Sequence, residues 1–158
     1  MAKSVSKSTK SAGSKSDKGK ETGRIKYEDK STGQPDMVII FEEIRKLMKP
    51  YERGTIRMHG GEEGKLLLIS EKEVEIEGRK RKDVWFASAL IQKGFVGFYF
   101  MPVYMNNPVE RQLKPELLKC LKGKACFHMK KADPLIFGQI REALEIGYRD
   151  YLKKGWIG

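Results

Sequence analysis

The sequence predicts an α+β domain, an antiparallel-rich sheet of about five strands packed by N-terminal and C-terminal helices. Three observations carry this. Met37, Phe41, Ile44 and Met48 recur at helical spacing between charged residues. Residues 83–92 and 95–105 are two apolar runs separated by Lys93-Gly94, the pattern of two strands joined by a tight hairpin. Asp133-Pro134 then opens an amphipathic run in which Ile136, Ile140, Ala143, Leu144, Gly147 and Tyr151 form one stripe.

Each element has its own reason. Pro35 suits the first turn of the opening helix and Pro50 closes it, because a ring nitrogen has no hydrogen to donate into a helix interior. Residues 55–58 read as a short strand, 60–64 (GGEEG) as a loop, and 65–70 as an apolar strand. Residues 71–77 alternate, with Glu71, Glu73, Glu75 and Glu77 on one face and Val74 and Ile76 on the other, as in a half-buried strand. Residues 78–82 (GRKRK) read as a basic turn, 115–121 as a short helix and 125–130 as the last strand. Asp133 is a capping residue and Pro134 suits the first helical position, while Lys153, Lys154 and Gly155 favour a helix end.

At 158 residues the chain suits one domain, spanning residues 35–158. Residues 1–34 are mostly Lys, Ser, Gly and Thr and read as a disordered basic tail, too poor in apolar surface to offset ordering entropy. The net charge is +11, and basic residues outnumber acidic ones nine to four within that tail. Such a balance attracts nucleic acid at a distance but specifies no sequence. Cys120 and Cys126 make no disulfide framework and suit a reducing compartment. With no apolar run of membrane-spanning length and no secretory signal pattern, the reading is a cytoplasmic protein without a membrane partner.

The run 97–105 (GFYFMPVYM), the segment 122–127 (KGKACF) and the Gly147-Tyr148-x-x-Tyr151 pattern resemble the YdhG-like family, catalogued as a domain of unknown function. The resemblance covers residues 37–157 and is strongest after Asp83. It implies a frataxin-like arrangement of helices against one sheet. Some members are described as iron chaperones, so iron is the one cofactor the resemblance suggests. It carries over no catalytic residue. The tail and residues 71–82 depart from the usual pattern.

Four groups of residues bear on function. Trp85, Tyr99, Tyr104 and His128 are expected to line a shallow aromatic cleft on the open sheet face, where an unknown small ligand or protein binds. Glu71, Glu73, Glu75 and Glu77 form an acidic ridge that offers oxygen ligands to a metal such as iron, or simply the solvent face of a hairpin. Arg79, Lys80, Arg81 and Lys82 offer a nonspecific phosphate contact for nucleic acid. Cys126 and His128 share a strand face with Lys124 and Lys130, with Phe127 and Met129 turned to the core. Spacing of two on a strand sets the first pair poorly for a nucleophile and its base. No recognisable nucleotide-loop, serine-elbow or zinc-helix motif appears, so a non-enzymatic binding or chaperone-like domain is expected.

Overall fold

A computed structural model of the chain describes residues 28–105 and 107–158. The expected tail lies mostly at residues 1–27, outside the described residues. Helix α1 (Pro35–Met48) begins with Pro35 in its first turn and buries Met37, Ile40, Phe41, Ile44 and Met48. A 3₁₀ turn, Lys49–Tyr51, then carries Pro50. Gln34, placed by composition at the end of the tail, is tied to the domain. Its Nε2 donates to Gln92 O (3.1 Å), and its Oε1 accepts from Gly94 N (2.8 Å).

Strands β1 (Ile56–Gly60), β2 (Lys65–Ser70), β5 (Val84–Gln92), β6 (Phe95–Phe100), β7 (Leu121–Lys122) and β8 (Cys126–Met129) form an antiparallel sheet in the order β1-β2-β5-β6-β8-β7. This is one strand more than expected, and a separate two-stranded hairpin is formed by β3 (Val74–Ile76) and β4 (Arg79–Arg81). Helix α5 (Pro134–Lys154) packs with α1 on one face of the large sheet. Register places Leu66, Leu68, Ala87, Ala89, Phe98, Phe100 and Phe127 on that face, where all belong to the main core.

Phe86 has no partner in the β2–β5 register, because Leu68 pairs with Ala87 and Ile69 with Trp85. This extra residue is a β-bulge, which bends the strand locally. It sends Phe86 into an aromatic cluster with Tyr51, Phe100, Tyr148 and Tyr151. Tyr151 is fully buried, and its hydroxyl donates to Trp85 O (2.9 Å), locking α5 onto β5. Burial pushes its phenol well above the ordinary range.

Four expectations need correction. Residues 95–105 are not one strand. The sheet ends at Phe100, and α2 (Met101–Met105) starts there with Pro102 in its first turn, where a missing N–H costs nothing. Helices α3 (Asn107–Arg111) and α4 (Pro115–Leu118) follow, so the segment expected to be helical to residue 121 ends sooner and gives way to β7. The alternating run 71–77 yields only three strand residues. Glu77 (φ 52°) and Gly78 (φ 78°) both take left-handed backbone, the requirement of a tight two-residue hairpin turn. The basic segment is therefore not a turn but mostly strand β4, with Arg79, Lys80 and Arg81 opposite Ile76, Glu75 and Val74.

Candidate functional site

On the face away from α1 and α5, register lines up Leu67, Ile69, Trp85, Ser88, Leu90, Phe95, Gly97, Tyr99, Cys126 and His128. Its centre is not open as expected. Leu67, Ile69, Ser88 and Leu90 are all closed to solvent, although none of the three aliphatics belongs to the main core cluster. Solvent reaches instead the half-buried rings of Trp85, Phe95, Tyr99 and His128. Tyr104 stands apart from them. It is exposed on α2, with Lys124 Nζ 5.5 Å from its ring centroid, because the chain leaves the sheet at Phe100.

Gly97 explains how the aromatic residues gather. A Cβ there would lie 3.0 Å from Tyr99 Cε1 and 3.4 Å from Cys126 Sγ, so the bare backbone lets the Tyr99 ring fold over β6. Beside it, Phe95 and His128 stack with ring centroids 3.9 Å apart and planes 15° apart. Burial and the Cys126 thiol together raise the Tyr99 phenol to about 12. Ser88, opposite Tyr99 in register, keeps a buried hydroxyl with no hydrogen-bond partner among the described residues.

The stack stands at the edge of a groove of about 330 Å³ lined by Lys119, Cys120, Lys122, His128, Met129, Lys130, Lys131, Asp133 and Ile136. Four segments deliver these groups. Lys119 follows α4, Lys122 is on β7, His128 and Met129 are on β8, and Lys130, Lys131 and Asp133 lead into α5. The bond from His128 N to Cys120 O (2.9 Å) holds the first two segments against the third. Lys119, Lys122, Lys130 and Lys131 form no ion pair among the described residues. Asp133 is the single carboxylate in the wall, and its Oδ1 accepts from Leu135 N (3.0 Å) as the cap of α5. The positive end of that helix dipole adds to the field of the lysines.

The titrating groups respond accordingly. Desolvation first, then Lys122 and Lys130, hold His128 below its ordinary value, so its ring is neutral near pH 7. Burial pushes both thiols up, with Asp133 adding to the effect at Cys120 and the Tyr99 hydrogen bond opposing it at Cys126. A thiol held in its protonated form is a poor nucleophile, and the His128 ring is engaged in its stack with Phe95.

The other candidates do not assemble in the same way. Glu71 Oε2 lies 3.7 Å from His59 Nε2, Glu73 precedes β3, Glu75 faces Lys80 across the hairpin, and Glu77 is in its turn. The four carboxylates thus make no continuous ridge, because a three-residue strand cannot carry an alternation of seven. Among the described residues no three His, Cys, Asp or Glu side chains converge as metal ligands. The basic hairpin lines its own groove with Glu73, Glu75, Lys80, Arg81 and Lys82, three cations against two carboxylates. The groove beside His128 carries four against one.

Sequence reading missed Lys119, Lys122, Lys131 and Phe95 as site residues. The available signal was the lysine-rich stretch 119–131, which places cations on both sides of a two-strand turn. No helix among the described residues is long and apolar enough to cross a membrane. No protein-family model, curated protein or solved structure matches this chain.

Proposed function

We propose that this chain is a non-enzymatic binding module, of the YdhG-like kind its sequence resembles, and that its ligand is a polyanion held in the groove between β7, β8 and the start of α5. The observation that carries this is the convergence of Lys119, Lys122, Lys130 and Lys131 on a wall with one carboxylate, itself engaged in capping. Like charges brought this close repel one another, and an anionic ligand relieves the repulsion. The raised thiols and neutral, stacked imidazole favour binding over nucleophilic chemistry. Nucleic-acid association through the tail and hairpin becomes the secondary contact, since the hairpin cations have carboxylates beside them.

The test is the salt dependence of polyanion binding by the full chain and by a variant with all four lysines changed to glutamine. Fluorescence anisotropy with a labelled homopolymeric single strand gives log K against log salt. Losing four phosphate contacts makes that slope shallower by about 3. Any contribution from residues 1–27 is common to both proteins and cancels in the comparison. Equal slopes would place the binding elsewhere.

A further inference from the structure

We infer that the polyanion is a single-stranded nucleic acid, one of whose bases stacks on the Phe95–His128 pair while its phosphates follow the lysines of the adjoining groove. This rests on the polyanion reading and deepens it. Lysines alone accept any polyanion: polyphosphate, an acidic peptide, or either form of nucleic acid. The aromatic pair is what discriminates. Phe95 and His128 are nearly parallel and stacked face to face at 3.9 Å, half-buried, and His128 belongs to both the stack and the lysine-lined wall, so a base adds to the stack as a further layer. One ligand on this surface therefore meets a flat π surface and four cations together.

A polyphosphate or a polyglutamate has nothing to place on that ring surface. A duplex keeps its bases stacked on one another and offers their faces to no side chain. Unpaired bases do offer them, and stacking on aromatic side chains next to a basic track is a general mode of single-strand binding. The strip continues from the stack, since Tyr99 folds over Gly97 on the same face of β6. This geometry has no donor or acceptor array that reads one base against another, so the expected binding is tolerant of sequence.

The test compares three probes of equal length on the full chain: oligothymidylate, the same strand with abasic tetrahydrofuran sites, and polyglutamate. Oligothymidylate is expected to bind about five- to a hundredfold more tightly than the abasic strand. His128→Ala abolishes that preference, whereas His128→Phe keeps a stacking ring and keeps the preference. The four-lysine variant weakens binding of both strands. Equal affinity for thymidylate and abasic strands, or polyglutamate binding as tightly as thymidylate, overturns the base-stacking inference and leaves the polyanion reading standing. Loss of the preference in His128→Phe as well as His128→Ala also overturns it. If the wild-type chain binds none of the probes, both readings fall.

Discussion

His128 shows how one side chain takes its chemistry from its surroundings. As a free residue it would be partly charged near neutrality. Here desolvation, Lys122 and Lys130 all work against the imidazolium. Changing Lys122 and Lys130 to glutamine is therefore expected to raise the His128 midpoint in an NMR titration, without restoring it fully, because desolvation is the larger cause. An unchanged or lower midpoint would contradict this electrostatic account. The linkage has a definite sign. A histidine whose folded value is depressed costs stability as pH falls through its ordinary value of 6.5 toward the lower folded value, with no further loss below that. Gly147 is a second residue whose role is set by its neighbours. A Cβ there would lie 2.5 Å from Phe100 Cζ and 2.7 Å from Pro102 Cγ, both in buried residues that cannot easily move away. Gly→Ala inside a helix ordinarily gains stability, by up to ~1 kcal/mol. At this position overpacking outweighs the gain, and Gly147→Ala is expected to lower stability by about 1–3 kcal/mol, read as a fall in the urea midpoint.

Helix α5 carries the clearest chain of cause at the level of elements. Asp133 caps its start and Pro134 sits in its first turn. At the other end Gly155 takes φ 76° and its N–H bonds to Leu152 O and Tyr151 O, the left-handed stop that glycine permits. Because Asp133 also supplies the only carboxylate of the lysine groove, its two roles can be separated. Asparagine caps about as well as aspartate but carries no charge. Asp133→Asn is expected to keep the thermal midpoint while strengthening polyanion binding. Asp133→Ala is expected to lose about 1 kcal/mol of stability with a similar gain in affinity. A weaker polyanion complex in Asp133→Asn would show that the carboxylate helps the ligand to bind. The β3–β4 hairpin gives the contrasting case. A turn needing positive φ at Glu77 and Gly78 cuts the alternating run short. Its basic strand then pairs with its acidic one.

Across the whole molecule, the described chain is laced to the sheet at both ends. Gln34 bridges to the β5–β6 turn. Near the other end Gly158 bonds to Thr55 through both its N–H and its carbonyl, and Ser70 Oγ donates to Trp156 O. With α1 and α5 fixed in this way on one face, most of the large core side chains gather between helices and sheet. The aromatic rim is left on the other side and reaches the lysines at the β7–β8 edge, where the groove runs between the sheet and the start of α5. The proposed ligand surface is thus a consequence of which face the helices take.

Much of the architecture was legible from residue order. Period-three-and-four spacing gave α1 and α5, their prolines and the Asp133 cap gave their limits, and Lys93-Gly94 gave the central hairpin. The strand faces were legible too, since Phe98 and Phe100 lie opposite Tyr99, and Phe127 and Met129 opposite Cys126 and His128. These features depend on local backbone geometry, in which neighbours along the chain decide the outcome. The site was less legible. Lys119 and Lys122 stand on one side of the β7–β8 turn and Lys130 and Lys131 on the other, and Phe95 meets His128 only through the β6–β8 register. Periodicity tells which way a side chain faces on its own strand; which distant strand lies alongside, and how many charges gather there, is settled by tertiary packing, because contact and Coulomb energy depend on distance in space and not on separation in sequence.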